Sequence, residues 1–228
     1  MKPNLLVLLD FDGTLTSIRL DPKKVKLSKS MYTTLEKLVH NKIQVTIISS
    51  RPYSFLKQQL PSCVKILGSK GNSLNKLKKF SKQRKHIFRI LYCTVKKFPL
   101  TTVQLSPCGA EIHFRKNQSL TLSKVMTEVC RVFDTQPVKI IAGRKTVEVI
   151  PLGLANKQEI VKKIIKTWQG KIMFIGDDDS DAEAAVEIMK QKGNLAFLVK
   201  TKERKITPKE VIKLTGIQEV QKTLKQLL

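Results

Sequence analysis

The stretch LLVLLDFDGTLTSI, at residues 5–18, runs five aliphatic residues directly into two acids, Asp10 and Asp12. A continuous aliphatic run of this length is typical of a strand that is buried on both faces in a parallel sheet. The two carboxylates repel each other, so their place at the end of such a strand requires a compensating group. In doubly wound folds, functional residues lie outside the carboxyl ends of the strands. The stretch therefore predicts a parallel-sheet fold with a charged site at one edge.

The segments on either side of the middle region continue the alternation of helix and strand. Ser28–His40 has helical spacing, Ile43–Ser50 has the composition of a second buried strand, and residues 64–72 contain a third, shorter strand. Further along, the order is helix, strand at 171–176, acidic loop, helix and strand, and we expect residues 207–228 to close the chain as helix. These elements predict an α/β fold with a Rossmann-like, doubly wound parallel sheet.

The middle of the chain has a different rhythm. Residues 82–98 form an amphipathic helix with a strongly basic outer face, and two pairs of alternating strands follow, with another helix between the pairs. The order α-β-β-α-β-β predicts a small α+β (αββαββ) cap domain inserted into the parallel core. We place the parallel core at residues 1–78 and 153–228, and the cap domain at 79–152.

The net charge is +25, from 43 Lys and Arg against 18 Asp and Glu. A field of this size attracts nucleic acid, anionic lipid or a phosphorylated substrate. The charge extends over the whole chain, however, which favours a general compositional cause. The basic helix at residues 82–97 has no aromatic residues interleaved on its basic face for stacking. We therefore expect a solvated helix face here and no nucleic-acid partner.

The four cysteines, Cys63, Cys93, Cys108 and Cys130, lie far apart without a Cys-x-x-Cys pair. This spacing argues against a zinc site and against a dense disulfide framework. Cys93 and Cys130 have apolar neighbours, so we expect buried thiols in a reducing compartment. The N-terminal apolar run meets Asp10 too soon for a signal peptide, and no segment has the length of a membrane span. We expect a cytoplasmic protein with no membrane partner.

Four polar groups fall at the predicted carboxyl edge of the sheet. They are the pair Asp10 and Asp12 after the first strand, Ser49 after the second, the segment GDDDSD at 176–181, and Lys157 at a helix start. Acids that meet at one edge would surround a divalent cation, and hard oxygen ligands favour Mg²⁺. An acidic turn or a calcium loop is the alternative for GDDDSD, but the segment lacks the spaced ligands and distal Glu of an EF-hand.

Asp10-Phe11-Asp12-Gly13-Thr14 resembles the first motif of the haloacid dehalogenase-like phosphatases. Ser49, Lys157 and GDDDSD resemble the second, third and fourth motifs, in the right order along the chain. The resemblance implies that Asp10 is the nucleophile, which takes the phosphoryl group as an aspartyl-phosphate. It implies that Asp12 protonates the leaving alkoxide and then activates water.

The same resemblance implies roles for the other motif residues. Ser49 would donate a hydrogen bond to the phosphoryl oxygens, and Lys157 would neutralise charge on the phosphate and the nucleophile. Without the resemblance, Ser49 would be a helix cap and Lys157 a solvated surface residue. The implied metal is Mg²⁺, and the implied ligand set is Asp10, Asp12, Asp177 and Asp181, with Asp181 supporting the shell.

A closer resemblance narrows the substrate class. TIISSRP, GSKGN, HFR and GRKTVEVIPLGLANK, with the first and fourth motifs, are similar to the corresponding segments of the trehalose-phosphatase family. This resemblance covers nearly the whole chain and implies a phosphatase that acts on a small-molecule sugar phosphate, with trehalose 6-phosphate as the first candidate substrate. It also implies that the cap domain closes over the sugar and excludes water.

The cap domain departs from the family at positions that bear on specificity. The sugar-binding Glu and Lys of the family fall at Gln104 and Ser106, which lose both charges, whereas Glu148 matches the third sugar-contacting acid. Arg115 either steers a phosphate or covers the sheet, and Glu148 is otherwise an exposed strand carboxylate. Sucrose phosphate and glycosyl or mannosyl phosphoglycerate therefore stay open as substrates. A non-catalytic polyanion-binding protein on the same fold is the alternative from another class.

Overall fold

The computed structural model describes residues 4–19, 24–143, 145–201 and 208–228. The chain divides into two compact units, the first formed by Met1–Gly71 and Asn156–Leu228 and the second by Asn72–Ala155. The second unit is thus an insertion into the first. The domain boundaries expected from the sequence, with the cap domain at 79–152, stay a prediction beside these bounds.

The secondary structure alternates in the first unit and changes order in the second. In chain order, the strands are β1 (Leu5–Leu9), β2 (Gln44–Ile48), β3 (Lys65–Leu67), β4 (Thr102–Leu105), β5 (Ala110–His113), β6 (Val138–Gly143), β7 (Thr146–Pro151), β8 (Lys171–Gly176), β9 (Leu195–Val199) and β10 (Ile212–Leu214). The helices are α1 (Lys29–His40), α2 (Tyr53–Gln59), α3 (Leu74–Lys79), α4 (Ser81–Val95), α5 (Leu122–Val132), α6 (Lys157–Thr167), α7 (Asp179–Met189) and α8 (Ile217–Lys225).

The first unit is built on a six-stranded sheet in the order β10-β9-β8-β1-β2-β3, and every neighbouring pair in it is parallel. Apolar residues of α1, α2 and α8 pack on one face, against Val7 and Ile47 among others. Residues of α6 and α7 pack on the other face, against Leu8 and Phe174. Burial on both faces explains why β1 is a continuous aliphatic run rather than an alternating one. The predicted doubly wound α/β core is confirmed.

The second unit has a four-stranded antiparallel sheet in the order β4-β5-β7-β6. Its strands alternate: Ile112 and Val147 point into a core that also contains Ile87 of α4 and Val125 of α5, so both helices cover that face. The opposite face carries the polar residues of β5 and β7. The predicted αββαββ order of the inserted domain is therefore confirmed.

The C-terminal segment differs from the single helix that we expected over 207–228, and that prediction is wrong. Residue 207 lies outside the described residues. Ile212–Leu214 forms β10, which pairs in parallel with β9 and buries Leu214 against the core of the first unit. Gly216 then precedes α8, so the helix begins only at Ile217. Pairing with β9 at the sheet edge outweighs the helix propensity of these residues. Gly216 also favours a break before α8, because glycine is a poor residue inside a helix.

Two expectations about exposed side chains on the helices are also wrong. Cys93 and Cys130 are exposed, not buried, and Cys108 is the buried thiol among the four. Cys93 lies two residues from Leu91, which faces the core of the second unit, and a two-residue step turns the side chain to the opposite side of a helix. The basic face of α4 also carries an aromatic residue: Tyr92 is 54% exposed, and the Nζ atom of Lys96 lies 5.7 Å from its ring centroid.

Among the residues that the structure describes, no helix combines the length and the apolar character that a bilayer crossing requires.

Candidate active site

The first candidate residues lie where three neighbouring strands of the first unit end. Asp10 follows β1 directly, and its backbone N–H donates to the carbonyl oxygen of Ile175 on β8 at 2.9 Å. The chain then turns tightly, because the N–H groups of Leu15 and Thr16 both donate to the carbonyl oxygen of Phe11 at 3.0 and 3.1 Å. The turn keeps Asp10 fixed at the carboxyl edge of β1, with β2 and β8 on either side.

Asp10 is paired with a lysine that is equally buried. The Nζ atom of Lys157 donates to an Oδ1 oxygen of both Asp10 and Asp181, at 2.7 Å in each case. The relative exposures of Asp10, Lys157 and Asp181 are 6%, 3% and 0%. Lys157 is the first residue of α6, which begins there because Asn156 caps it and forms a capping box with Glu159. The alternative of a solvated surface lysine is wrong.

Burial and mutual repulsion shift the proton affinities of these groups. Burial is the main reason why the pKa of Asp10 stands well above its usual value; Lys157 opposes the shift, and Asp181 and Asp177 add to it. Burial raises the pKa of Asp181 to about 6, again against Lys157. Burial lowers the pKa of Lys157, but Asp10 and Asp181 outweigh it and hold that pKa well above its usual value. Lys157 is therefore charged, and the raised pKa values of Asp10 and Asp181 indicate that one ammonium does not fully offset the burial and mutual repulsion of the acids around it.

This acidic cluster fits a cation. Side-chain oxygens of Asp10, Asp177 and Asp181 all lie within 4.8 Å of one another. Gly13 contributes by its lack of a side chain: its φ is +87°, and a Cβ there would lie 2.1 Å from Oδ2 of Asp177. Carboxylate oxygens are the donors that hard divalent cations prefer. The crowding of three buried carboxylates and the donor set both indicate a metal site at this edge.

Asp181 also completes the start of α7. Its Oδ2 accepts hydrogen bonds from the backbone N–H groups of Asp177 and Asp178, at 3.0 and 3.3 Å. In return, the Asp178 side chain accepts from the Asp181 N–H and the Ser180 hydroxyl, each at 2.8 Å. The acidic segment is thus a loop of only two residues, Asp177 and Asp178, which leads through a capping box into the first turn of α7, so the expected loop is present but shorter. It presents Asp177 and Asp181 to the same cluster.

Asp12 occupies a different position from the one that the sequence predicts. Among the described residues, the acidic cluster does not include it, so the predicted four-acid ligand set is not brought together. Its two carboxylate oxygens accept from Nε and Nη2 of Arg51, at 2.8 and 2.7 Å. The guanidinium group of Arg51 also lies over the ring of Phe55, 4.6 Å from the centroid. A bidentate pair between an arginine and a carboxylate is strong and geometrically specific, and this pair accounts for the position of Asp12 outside the acidic cluster.

Arg51 is a residue that sequence reasoning missed as a functional partner. The signal was present, because Arg51 stands in the TIISSRP segment two residues after Ser49. Ser49 is buried at the end of β2, and its Oγ accepts from the Arg51 backbone N–H at 3.1 Å. The Ser49 carbonyl oxygen accepts from the N–H of Lys70 at 2.9 Å. Ser49 therefore orders the loop that carries Arg51, and it lies at the carboxyl edge, as predicted.

The four predicted sugar contacts lie in the second unit, on or beside its antiparallel sheet. Gln104 is on β4 opposite Glu111 of β5, and Glu111 is opposite Glu148 of β7. The hydroxyl of Ser106 donates to Oε1 of Glu148 at 3.4 Å and accepts from the Gly109 N–H at 2.9 Å. Arg115 follows β5 and is exposed. Glu111 is the residue of this group that sequence reasoning missed, because strand register is not visible in a sequence.

The structure combines an inserted antiparallel domain with a buried aspartate–lysine pair and a cluster of acids at the edge of a parallel sheet. This is the arrangement that the resemblance to the haloacid dehalogenase-like phosphatases predicts. The sequence model described as trehalose-phosphatase matches residues 8–217, and the chain belongs to that family. Both the family and the fold class that the sequence predicted are confirmed.

Individual relatives agree with the family. A trehalose-phosphatase of Schizosaccharomyces pombe is 28% identical over 205 residues, which cover 78% of this chain and 24% of that protein. The chain thus spans about a quarter of the length of that relative.

Solved structures agree with the fold. The C-terminal domain of Candida albicans trehalose-6-phosphate phosphatase superposes with a TM-score of 0.76 at 22% identity, covering 99% of this chain and 92% of that one. A Synechocystis sucrose-phosphatase superposes with a TM-score of 0.62 at 13% identity, covering 99% and 98%.

Proposed function

We propose that this chain hydrolyses a sugar phosphate to the free sugar and phosphate, and that trehalose 6-phosphate is its preferred substrate. The observation that carries the proposal is the buried pair of Asp10 and Lys157, at 2.7 Å, beside two further acids at the carboxyl edge of the sheet. A carboxylate held in this way is a positioned nucleophile whose negative charge is balanced by its neighbour. A merely structural ion pair would not require the additional buried acids.

In the proposed first step, a carboxylate oxygen of Asp10 attacks phosphorus, and the bond from phosphorus to the sugar oxygen breaks. Asp12 donates a proton to the departing alkoxide, which requires that it leave its pair with Arg51. In the second step, Asp12 takes a proton from water, and the resulting hydroxide displaces Asp10 from phosphorus. Lys157 balances the negative charge on Asp10 and on the phosphoryl oxygens through both steps, and the Ser49 hydroxyl donates to those oxygens.

We propose that the acidic cluster holds Mg²⁺ through Asp10, Asp177 and Asp181. The close approach of three buried carboxylates and their oxygen donors support this assignment. When bound, the ion would supply positive charge next to the phosphoryl group and reduce the repulsion among the acids.

The second unit supplies the proposed sugar contacts. Gln104, Arg115 and Glu148 offer an amide, a guanidinium group and a carboxylate, and Ser106 orients Glu148 by the hydrogen bond described above. Because Gln104 and Ser106 lack charge, a different sugar phosphate, such as sucrose phosphate or a glycosyl phosphoglycerate, is the second candidate substrate. The location of the protein in the cytoplasm also stays a prediction.

Phosphate release from a panel of esters tests the proposal. The panel contains trehalose 6-phosphate, sucrose 6-phosphate, glucosyl-3-phosphoglycerate and hexose phosphates, each with Mg²⁺ and with EDTA. We expect release that depends on Mg²⁺ and is fastest from trehalose 6-phosphate. A preference for another ester would keep the chemistry and change the substrate. Silence across the panel from folded protein would favour a polyanion-binding protein, whose binding should weaken steeply with salt.

A further inference from the structure

One side of α4 carries a regular row of cations with one aromatic ring among them. We call this row the α4 stripe; it consists of Lys82, Lys85, Arg89, Tyr92 and Lys96. The successive spacings are three, four, three and four residues, and residues so spaced are neighbours on one side of a helix. All five side chains are exposed. With a rise of about 1.5 Å per residue, the stripe is about 21 Å long.

No acid of the same region balances this charge. Residues 37–110 contain no Asp or Glu, so neither α3 nor α4 carries a carboxylate. Two other cations of α4 and its C-terminal end are used within the second unit. Nη1 of Arg84 donates to the carbonyl oxygen of Pro107 at 2.6 Å, and Lys97 pairs with Glu128 of α5. Within the described ranges, by contrast, the four cations of the stripe form no ion pair, and their charge faces solvent.

The aromatic ring of the stripe is held in place by its neighbours. The rings of Tyr92 and Phe88 are stacked, with centroids 6.1 Å apart and planes inclined by 22°. Phe88 in turn packs against the core of the second unit. The Nζ atom of Lys96 lies 5.7 Å from the centroid of the Tyr92 ring. The stripe therefore presents an exposed, supported ring next to ammonium and guanidinium groups, whereas the sequence alone predicted a basic face without one.

From this arrangement we infer that the α4 stripe binds single-stranded nucleic acid. Its cations bind phosphates along the strand, and Tyr92 stacks on an unpaired base. Every base has a face that can stack on an aromatic ring, so the binding tolerates different sequences. Binding at the stripe is separate from the proposed phosphatase activity and does not depend on it.

A membrane surface fits the stripe less well than a single strand does. A helix that binds an anionic bilayer inserts an apolar face beside its basic one. The apolar residues on the other side of α4, Ile87, Leu91 and Val95, are buried in the core of the second unit. A nucleic-acid duplex offers phosphates but no unpaired base for Tyr92. Only a single strand uses both the cations and the ring.

The test measures how the full chain binds a fluorescent oligothymidylate of about 12 nucleotides, by anisotropy at several salt concentrations. Lys82→Gln with Lys85→Gln removes two cations of the stripe. The matched control, Lys222→Gln with Lys225→Gln, removes two exposed lysines of the same spacing from α8 of the first unit. Each lost phosphate contact should reduce the slope of log K against log salt by about 0.7.

We therefore expect the double variant of the stripe to lose about 1.4 from that slope and to bind about tenfold more weakly, with the control within about twofold of wild type. Equal losses in both double variants would overturn the inference, because they would show that the net charge of the whole chain attracts the strand. Wild-type protein that does not bind the oligonucleotide at low salt would also overturn it.

Stacking is tested at Tyr92. Tyr92→Ala should weaken binding by about fivefold or more, and Tyr92→Phe, which keeps the ring, should stay within about twofold of wild type. Unchanged binding in Tyr92→Ala, or equal wild-type affinity for a duplex of the same length, would overturn the single-strand assignment. Tighter binding to phosphatidylserine vesicles than to the oligonucleotide would assign the stripe to a membrane instead. Urea unfolding shows that each variant is folded. Because no turnover is measured, silence in the ester panel would leave these outcomes unaffected.

Discussion

The two units hold their charged side chains in opposite ways. At the edge of the parallel sheet, Asp10, Lys157 and Asp181 are almost completely buried and joined by contacts of 2.7 Å. On the polar face of the antiparallel sheet, Glu111 and Glu148 are half-buried, and their contacts include two longer ones, 3.6 Å from Glu111 to His113 and 3.4 Å from Glu148 to Ser106. In a buried cluster, any lost partner leaves an uncompensated charge, whereas a half-exposed charge is partly supported by water.

This difference teaches which parts of such a protein can change. Substitutions in the acidic cluster should be costly, because each group neutralises or positions the next one in a medium of low polarity. The row of Gln104, Glu111 and Glu148 crosses three strands on the polar face, where a change of side chain leaves the core in place. We therefore expect the buried cluster to be sensitive to substitution and the row to tolerate it. Four predictions test this contrast.

The largest effect should come from Asp10→Asn. An amide cannot form the acyl-phosphate bond, so we expect turnover of trehalose 6-phosphate to fall by at least about 10³-fold. Lys157 keeps its contact with Asp181, and the protein should stay folded. Phosphate release and circular dichroism measure the two quantities. Activity near that of wild type would remove Asp10 as the nucleophile.

The second prediction compares two lysines on α6. Lys157→Met leaves Asp10 and Asp181 without their cation, so the free energy of unfolding should fall by about 3–5 kcal/mol. Lys162→Met removes an exposed partner of Glu187, 3.5 Å away, and should cost less than about 1 kcal/mol. Urea unfolding in EDTA measures both. Equal losses would show that the buried pair has no special weight.

Local patterns account for most of what the sequence predicts correctly. Continuous aliphatic runs identify the parallel strands. The order of the motifs predicts that the carboxyl edge carries Asp10, Ser49, Lys157 and the acidic segment. Long-range pairing accounts for most of the failures. Asp12 pairs with Arg51 across 39 positions, and no periodicity in the sequence indicates that contact.

Strand pairing also limits what can be predicted from the sequence in the second unit and at the C-terminus. The position of Glu111 between Gln104 and Glu148 follows from the pairing of β5 with β4 and β7, which lie at different distances along the chain. Ile212–Leu214 becomes a strand because β9 offers an edge to pair with, although the surrounding residues favour a helix. Tertiary pairing overrides local propensity in both cases.

The third prediction concerns the backbone beside the acidic cluster. In Gly13→Ala, the new Cβ would overlap the Asp177 carboxylate, and the φ of +87° is unfavourable for alanine. We expect Asp177 to leave the cluster, with kcat/KM reduced by about tenfold or more and a higher Mg²⁺ concentration needed for half-maximal activity. Gly216→Ala is the control, because no atom lies within 4 Å of its added Cβ. An unchanged Mg²⁺ requirement in Gly13→Ala would remove Asp177 from the metal site.

The smallest effect should come from moving the acid back to β4. In Gln104→Glu alone, three carboxylates would stand in one row, and the added repulsion should lower the free energy of unfolding by up to about 1 kcal/mol. In the double variant Gln104→Glu with Glu111→Gln, two acids remain, but they are separated by one strand. Repulsion should then fall below that of wild type.

The KM of the double variant for trehalose 6-phosphate should lie between the values of wild type and of Glu111→Gln, because an acceptor returns to the row one strand away. A KM as high as that of Glu111→Gln would mean that the sugar requires the acid on β5 itself. A KM equal to that of wild type would mean that the row tolerates either place. Steady-state kinetics on the four proteins distinguishes these outcomes. The result shows whether substrate binding by this sheet requires an acid at one particular residue or an acid anywhere in the row.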